Sequence, residues 1–554
     1  MLKFKKVWAA SLVAAMVMGI TANFGGVEPV TAKEVSNKNN SNAKIKNVIV
    51  LVSDGMGATH STVSRWYKGA PMALDEIAVG GVKTFSADSL ITDSAPAATA
   101  FATGFKSDTK FVSVFPNVID MPGALTVKEE AYKPLATILE GAKLAGKSTG
   151  IVATSNIQHA TPAGYSAHWN ERGNYNEIAE QQVYQFIDVV LGGGKKYLIP
   201  KVMGGTREDG ANLVEELKTN GYSVVENTKE LKDAKGKKIW GAFADDAMAY
   251  DFDRDPAKEP SLTEMTQKAI STLSINEKGF FLFVEASKVD WAAHANDPIG
   301  VISDTLAFDA AVKSAVDFAK KDGQTLVLAF SDHGNGGMTI GNKSTDKNYD
   351  TLKLSSLVDP LKKAKLTGEG LEKKLNAERT NIEQVMAEFF GITDLTKEEI
   401  DAIKAAKAGS LNYAVGPIIS KRSVIGWTTG GHTGEDLFMY AYGPGKPTGI
   451  IDNTDVAKII SREMGFKLDE LNKKLFIKAE DAFKAVGASV TVDTKDSKNP
   501  VVKVEKGNVK AELPASTNIM YINGQQYNLK SLVIYIQGKA YVPQEAVELF
   551  KKAA

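Results

Sequence analysis

Four unbroken apolar segments constrain the fold of this chain more strongly than any other feature of its sequence. They occupy residues 48–52, 151–153, 280–284 and 326–330. Continuous apolar runs of this kind are typical of strands in a parallel sheet that is covered on both faces. Helical patterns lie between them, for example at 211–220, 262–274 and 304–321. The alternation predicts an α/β fold with a central, mostly parallel sheet flanked by helices.

Side chains able to bind metals follow three of these segments. They are Asp54 after the first, Glu285, Asp290 and His294 after the third, and Asp332 and His333 after the fourth. Open α/β sheets place their sites beyond the carboxyl ends of the strands. The chain has no cysteine, so any metal would be held by histidine, carboxylate or hydroxyl oxygen. Together with one serine, this set predicts a multi-metal hydrolase.

Asp290 and His294 are four residues apart, which places both side chains on one face of a helix. That spacing lets a carboxylate and an imidazole hold one ion. His432, in the glycine-rich segment TTGGHTG, can supply a third ligand and leave a position open, as catalytic zinc requires. A simple hydrogen bond between Asp290 and His294 on a structural helix is the alternative.

A second ion is expected at Asp332 and His333, with Asp54 as a bridging ligand. Adjacent residues leave a strand on opposite sides, but in the loop that follows they can converge on one ion. Glu285 and Thr161 offer hard oxygen ligands, which suit an octahedral Mg²⁺ site.

Ser94 is the candidate nucleophile, because it precedes the helical pattern APAATAFATG. Backbone N–H groups at a helix N-terminus favour phosphate and ease deprotonation of a hydroxyl. No histidine is adjacent in sequence to act as its base, so activation by a metal is expected. A plain serine N-cap is the alternative. Arg172 offers a guanidinium fork for two phosphate oxygens, the alternative being an ordinary surface charge.

Other features are interpreted as structural. The segment 357–411 has a charged, helical pattern without histidine and is predicted to be an insertion near the site. Gly192-Gly193-Gly194-Lys195 lacks the spacing of a phosphate-binding loop. Asp251, Asp253 and Asp255 lack the glycine and glutamate of a calcium loop. His60 and His168 have no partner pattern.

Taken in order, five motifs closely resemble those of the alkaline phosphatase family: SDGMG, DSAPAATA, VEASKVDWAAH, SDHG and GGHTGED. The resemblance covers about residues 45–487. It implies an alkaline phosphatase-like fold and a secreted, metal-dependent enzyme that hydrolyses phosphate monoesters through a phosphoserine intermediate, with phosphate scavenging as its role. It also implies two Zn²⁺ and one Mg²⁺ per chain.

The same resemblance assigns a role to each site residue. Ser94 would be the nucleophile and Arg172 the phosphate clamp. The first zinc would be held by Asp290, His294 and His432, the second by Asp54, Asp332, His333 and the Ser94 oxygen, and magnesium by Asp54, Thr161 and Glu285. This chain has His159 and Trp291 where the enteric members of the family have aspartate and lysine near the magnesium site.

Four regions are expected along the chain. Residues 1–32 have a basic start and an apolar core typical of a signal peptide, the alternative being an uncleaved anchor. Residues 33–47 are a flexible leader, 48–487 the catalytic domain and 488–554 a small β-rich domain. Hairpin turns are predicted in that domain at Asn523-Gly524 and at Gln537-Gly538. Secretion from a Gram-positive bacterium is the expected localisation.

The expected partners are small phosphate monoesters of broad range. Lysine plus arginine and aspartate plus glutamate balance at 66 each, so no nucleic acid recognition is expected, and the hydropathy predicts no stable membrane insertion. A homodimer and an association of the C-terminal domain with the cell wall are left open. Two alternative functions are a phosphodiesterase or sulfatase of the same superfamily, and a non-catalytic surface protein.

Overall fold

A computed structural model describes residues 45–124 and 130–554. The predicted signal peptide, 1–32, lies outside the described residues, as does the leader up to residue 44. The described residues form one compact unit. Among the helices of the described residues, none combines the length and the apolar character needed to span a bilayer.

The strands that precede the C-terminal region include the four predicted segments. They are β1 (Asn47–Ser53), β2 (Ala78–Lys83), β3 (Ser148–Asn156), β4 (Val189–Gly193), β5 (Ser223–Val225), β6 (Ile239–Ala242), β7 (Phe280–Ala286), β8 (Thr325–Phe330), β9 (Gly334–Asn335), β10 (Thr339–Ile340), β11 (Ile425–Gly426), β12 (His432–Thr433), β13 (Leu437–Tyr442) and β14 (Gly449–Asp452). Ten of them form one sheet in the order β14-β2-β13-β8-β1-β7-β3-β4-β6-β5.

This central sheet is mostly parallel, as predicted. The four segments first recognised as apolar runs are neighbours at its centre, β8-β1-β7-β3, and every pair among them is parallel. The exception is β13, which runs antiparallel to β2 and β8. The carboxyl ends of the central strands therefore meet at one edge of the sheet, and the polar residues that follow them are brought together.

Helices cover both faces of this sheet. Those before the C-terminal region are α1 (Ala58–Lys68), α2 (Ser94–Thr103), α3 (Ile138–Leu144), α4 (Ala160–Ser166), α5 (Tyr175–Tyr184), α6 (Leu213–Thr219), α7 (Thr228–Asp233), α8 (Leu262–Leu273), α9 (Lys288–His294), α10 (Pro298–Asp322), α11 (Leu354–Lys362), α12 (Gly368–Glu372), α13 (Ile382–Phe390), α14 (Lys397–Ala405), α15 (Asn412–Arg422) and α16 (Asn453–Met464). The helices predicted at 211–220, 262–274 and 304–321 are confirmed as α6, α8 and α10.

The long helix α10 illustrates how the sequence defines an element. Asp297 accepts hydrogen bonds from the N–H groups of Ile299 and Gly300, and Pro298 occupies the first turn. Gly323 ends the helix with a φ of 71°, a left-handed conformation that glycine adopts without strain.

The strand β1 shows why its sequence is apolar without alternation. Ile49 and Leu51 belong to the hydrophobic core on one face of the sheet. Val48, Val50 and Val52 belong to the core on the other face. All five side chains are fully buried, so neither face tolerates a polar residue.

Helices α11 to α14 cover the predicted insertion, 357–411, and α15 extends this helical region to residue 422. Its turn at Thr367–Gly368 binds the main body: Asp253 accepts from the Thr367 N–H and Asp297 accepts from the Gly368 N–H. Asp253 is therefore a structural residue of this junction. His168 is structural as well, since its ring contacts the Ser113 carbonyl and the Glu140 carboxylate.

The C-terminal region is rich in antiparallel strands, as predicted. Its elements are α17 (Leu468–Leu475), β15 (Ile477–Lys478), α18 (Ala479–Lys484), β16 (Ser489–Asp493), β17 (Val501–Lys506), β18 (Val509–Pro514), β19 (Ile519–Ile522), β20 (Gln525–Asn528), β21 (Ile534–Ile536), β22 (Lys539–Val542) and α19 (Gln544–Ala553). Strands β16 to β20 form one sheet, and β15, β22 and β21 form another.

Both predicted hairpin turns are confirmed. Asn523 and Gly524 have φ values of 51° and 83°, and Gln537 and Gly538 have values of 48° and 75°. Positive φ at both central residues is the geometry of the two-residue turns that join antiparallel strands.

The start of the C-terminal domain at residue 488 stays a prediction, and the packing favours an earlier start. Ala479 and Phe483 belong to the core of the C-terminal region. Ile477 in β15 also pairs with Val542 in β22. Conversely, Ile534 and Tyr541 belong to one of the two main cores, so the two regions share buried apolar surface.

Candidate active site

The candidate site lies where the central strands end. Asp54 directly follows β1, Glu285 is the penultimate residue of β7, and Asp332 comes two residues after the end of β8. Because β8, β1 and β7 are adjacent and parallel, these carboxylates are brought to the same edge of the sheet. The short pair β9–β12 then places His432 opposite Asn335, two residues beyond His333.

Three groups of side chains in the described residues have the arrangement of metal ligands. The first group is Asp290, His333 and His432; the second is Asp54, Asp332 and His333; the third is Asp54, His159 and Glu285. Within each group, one ligand atom per residue lies within 4.8 Å of the others. Asp54 and His333 each belong to two groups, so the three form one continuous site.

These groups contain most of the predicted ligands. Two of the groups differ from the predicted ligand sets by one histidine each. The sequence placed His294 with Asp290 and His432, whereas the first group contains His333. His294 is nevertheless close, since its Nε2 lies 3.4 Å from Asp290 Oδ2, while His432 Nε2 lies 3.6 Å from Asp290 Oδ1. The third group also contains His159, for which the sequence had left open a direct role as a ligand of the third ion.

The carboxylates of this site are buried without enough hydrogen bonds. Within residues 45–124 and 130–554, the atoms without a hydrogen-bond partner include both carboxylate oxygens of Asp54 and of Glu285, Asp332 Oδ2, Thr161 Oγ1 and His159 Nδ1. A buried, unpaired anion costs several kcal/mol. The donor set therefore fits bound cations, and the role of Thr161 as a hard oxygen ligand stays a prediction.

The pKa values of these carboxyls show the same need for positive charge. Burial, followed by the charges of neighbouring carboxylates, raises the pKa of Asp54 well above its usual range. Burial also raises the pKa of Glu285 to about 8 and that of Asp332 to about 7. Asp290 is different: burial opposes its ionisation, but contact with His294 holds its pKa below the usual range.

The three histidines present the correct nitrogen for metal binding. His432 Nδ1 lies 2.9 Å from the Thr92 carbonyl, His294 Nδ1 2.7 Å from the Gly430 carbonyl, and His333 Nδ1 3.2 Å from the Gly334 carbonyl. A carbonyl only accepts, so each Nδ1 carries a hydrogen and each neutral ring has its lone pair on Nε2. Those Nε2 atoms face the carboxylates.

Ser94 is the first residue of α2 and is almost fully buried. Its Oγ lies 3.1 Å from His333 Nε2, which in turn lies 3.4 Å from Asp54 Oδ1. The hydroxyl thus borders the second group, at the N-terminus of a ten-residue helix whose free N–H groups favour an anion. Asp93, the preceding residue, makes no side-chain hydrogen bond to cap this helix.

Arg172 lies beside Ser94 and is held from two sides. Its Nη1 donates to Asp93, and its Nη2 lies 3.0 Å from His159 Nε2. Burial, followed by the positive charge of Arg172, lowers the pKa of His159 to about 3, so this imidazole is neutral at physiological pH. Trp291 packs edge-on against the His159 ring at 5.7 Å between centroids.

Two residues of the site were missed from the sequence. Asn335 donates to Asp290 Oδ1 at 2.6 Å and so orients that carboxylate. Lys288 is buried, with its Nζ 5.0 Å from the Trp291 ring centroid and 3.0 Å from Glu369 Oε2. Lys288 lies inside the motif VEASKVDWAAH, and Asn335 directly follows SDHG. Their polar character at these positions was the sequence signal that could have identified them.

Comparisons with known proteins show the family to which the chain is similar. A family model for alkaline phosphatase matches residues 45–465, and a model for the copper amine oxidase N-terminal domain matches residues 463–552. Alkaline phosphatase 4 of Bacillus subtilis (strain 168) is 40% identical over 480 residues, which cover 82% of this chain and 97% of that protein.

Solved structures agree as well. A cold-active alkaline phosphatase from Shewanella sp. is 30% identical with a TM-score of 0.65, and the match covers 76% of this chain and 99% of that one. A TAB5 alkaline phosphatase variant, with a histidine replaced by aspartate and Mg bound in the M3 site, is 27% identical with a TM-score of 0.54. That match covers 77% of this chain and 99% of the variant.

Proposed function

The chain belongs to the alkaline phosphatase family, and on that premise we propose that it is a secreted, metal-dependent phosphomonoesterase that forms a phosphoserine at Ser94. The observation that carries the proposal is the position of Ser94. Its Oγ lies 3.1 Å from His333 Nε2, next to carboxylates that are buried without hydrogen-bond partners. Phosphate scavenging is the physiological role that we propose.

We propose that the three groups hold two Zn²⁺ and one Mg²⁺. The first group, with His294, and the second group offer imidazole and carboxylate ligands, which suit zinc. The third group and Thr161 offer mainly hard oxygen, which suits magnesium. When bound, such ions lower the pKa of a nearby hydroxyl or water and neutralise charge on a departing oxygen.

The chain's own residues bind and orient the phosphate. The α2 N-terminus and the guanidinium of Arg172 supply N–H donors on the side where Ser94 lies. Asp93 holds the guanidinium in place before substrate arrives, so the guanidinium needs little reorganisation during the reaction.

A phosphodiesterase, a sulfatase and a non-catalytic protein are the competing functions. Arg172 favours a monoester, because a monoester has three unsubstituted phosphate oxygens, enough for the guanidinium fork and the metal-ligand groups together, whereas a diester has only two. We expect the protein with zinc and magnesium to hydrolyse p-nitrophenyl phosphate at least about 100-fold faster than bis(p-nitrophenyl) phosphate, measured as kcat/KM. Equal rates on the two esters would favour a diesterase, and no hydrolysis of either would favour the non-catalytic role.

We also propose that the protein is secreted and that it has two domains. The basic and apolar start of residues 1–32 supports export, and a Bacillus relative supports a Gram-positive source. The separate model match at 463–552 supports a second domain, whose start we propose to lie near residue 465 rather than 488. The homodimer and the association of the C-terminal domain with the cell wall stay predictions.

His159 is expected to control which ion the third group prefers. Replacing His159 with aspartate exchanges a nitrogen for a charged oxygen ligand, so magnesium should activate at a concentration about tenfold lower. The TAB5 variant, in which aspartate replaces histidine and Mg is bound, supports this direction. The measurement is a Mg²⁺ titration of activity in zinc-loaded protein.

His159→Asn is the matched control, since it removes the imidazole without adding charge. It should leave the magnesium requirement unchanged or weaken magnesium binding. If both variants responded alike, the loss of the ring rather than the gained carboxylate would be the cause. Adding Trp291→Lys to His159→Asp should also tighten phosphate inhibition, although Lys288 already brings a positive charge to this side of the site.

A further inference from the structure

The side chains of the candidate active site differ in exposure, and this difference locates its opening. The side chains of Asp54, Asp332 and His333 are 0% exposed, whereas those of His294 and His432 are 30% and 17% exposed. Ser94 is buried on the inner side. The part of a substrate that lies beyond its phosphate must therefore leave the site past His294 and His432.

One rim of this opening is formed by the insertion. Helix α15 packs on Asn296 and Asp297, the second and third residues after α9. Ser420 donates to the Asn296 carbonyl, and a Cβ added to Gly416 would lie 2.6 Å from the Asp297 Cα. Tyr413 precedes Gly416 by three residues and Ser420 by seven. It therefore lies on the same stripe of the helix, next to the segment that contains His294.

Tyr413 is exposed and is not part of a core. Its relative exposure is 56%. Partial burial, followed by the negative charge of Asp290, raises the pKa of Tyr413, which supports its nearness to the first metal-ligand group. A large exposed aromatic side chain next to an active-site opening is available to contact substrate.

A second part of the rim is formed by the loop before Ser94. His432 Nδ1 contacts the Thr92 carbonyl, so this loop lies against the histidine. The two preceding residues, Leu90 and Ile91, are 72% and 45% exposed. A Cβ added to Gly434 would lie 3.3 Å from Ile91 Cγ1, which places Ile91 beside the chain that leaves His432.

We propose that Tyr413 and Ile91 form a subsite for the leaving group, which favours phosphate monoesters whose leaving group carries an aromatic ring. The proposal rests on the phosphomonoesterase function above. Buried polar groups bind the phosphate. The opening, in contrast, is lined by exposed side chains with apolar surface, both from α15 and from the loop before Ser94. An aromatic leaving group can stack on Tyr413, while a small alkyl or glycerol group is too small or too polar to do so.

Tyr413→Ala tests this subsite. We expect kcat/KM for phenyl phosphate to fall about fivefold, as expected for one lost ring contact, with little change for glycerol 2-phosphate. Tyr413→Phe keeps the ring and should restore the ratio between the two substrates. Tyr349→Ala is the matched control, because Tyr349 is 73% exposed and lies in a separate turn that precedes α11. It should leave the ratio unchanged.

Inhibition by phosphonates gives a second readout that does not depend on the chemical step. Tyr413→Ala should weaken inhibition by phenylphosphonate about fivefold and leave methylphosphonate unaffected. An active wild-type enzyme whose substrate and inhibitor ratios do not change in Tyr413→Ala would overturn the subsite. The subsite would also be overturned if Tyr413→Ala changed the elution volume in gel filtration but not the substrate and inhibitor ratios. Tyr413 would then belong to a contact between copies of the chain. A wild-type protein without activity on either ester would refute the proposed function instead.

Discussion

Replacing Ser94 with alanine is expected to lower kcat for a phosphate monoester by about 10⁴-fold or more, as removal of a catalytic nucleophile generally does. Ser94 Oγ borders the second group but supplies none of its three nitrogen or carboxylate ligands. Zinc content should therefore fall little. The loss should appear in kcat, because the substitution leaves the N-terminus of α2 and Arg172 unchanged, and these are the groups that we propose bind the phosphate.

A phosphoenzyme measurement identifies the nucleophile directly. Wild-type protein quenched in acid after brief exposure to substrate should carry phosphate on the peptide that contains Ser94, detected by mass spectrometry. Ser64→Ala is the matched control, since Ser64 is also a buried serine and its hydroxyl has no hydrogen-bond partner in the described part of the chain. This control should keep full activity. Phosphate recovered on any other residue of the wild type would exclude Ser94 as the nucleophile.

The central part of the fold could be predicted from the sequence because burial on both faces is a local property. Each residue of β1 is apolar, except for its polar ends Asn47 and Ser53, and no alternation is present. The same holds for the interior of β8. Parallel strands with this pattern must be neighbours in a covered sheet, and the residues that follow them must then converge.

The detailed ligand sets could not be predicted in this way, because they depend on contacts between distant residues. His432 is oriented by the carbonyl of Thr92, 340 residues earlier. The rings of His333 and His432 stack with centroids 3.6 Å apart, which brings His333 into the first group. No local pattern in SDHG or GGHTGED encodes that contact.

Tyr413 and Lys288 show the same limit. Tyr413 lies in a helix that looks unrelated to the site, and only the packing of α15 on Asn296 and Asp297 brings it to the opening. Lys288 is held by Glu369, a residue of the insertion. The sequence indicated that the insertion lies near the site, but the side chains that it contributes depend on tertiary packing.

Removing the metals is expected to abolish activity and to lower the melting temperature by about 10 °C, because the buried carboxylates then lose their counter-charges. Zinc plus magnesium should restore both properties. Chelation with EDTA, followed by calorimetry and metal analysis, measures the effect. Ser94→Ala is a useful control, since it should show the same stabilisation by metals while remaining inactive. Full activity in protein shown to contain no metal would contradict the proposed function.

The metal-free protein should become less stable as the pH rises. Burial raises the pKa of Glu285 to about 8 and that of Asp332 to about 7, whereas both groups titrate near pH 4 in an unfolded chain. Between about pH 4 and pH 8 the folded state therefore binds more protons than the unfolded state, so the free energy of unfolding falls as the pH rises. Bound cations replace these protons, and acid should then destabilise the metal-loaded protein by releasing them. Melting curves from pH 5 to pH 9 should consequently show opposite slopes with and without metal, and parallel slopes would contradict the assignment of these carboxylates as ligands.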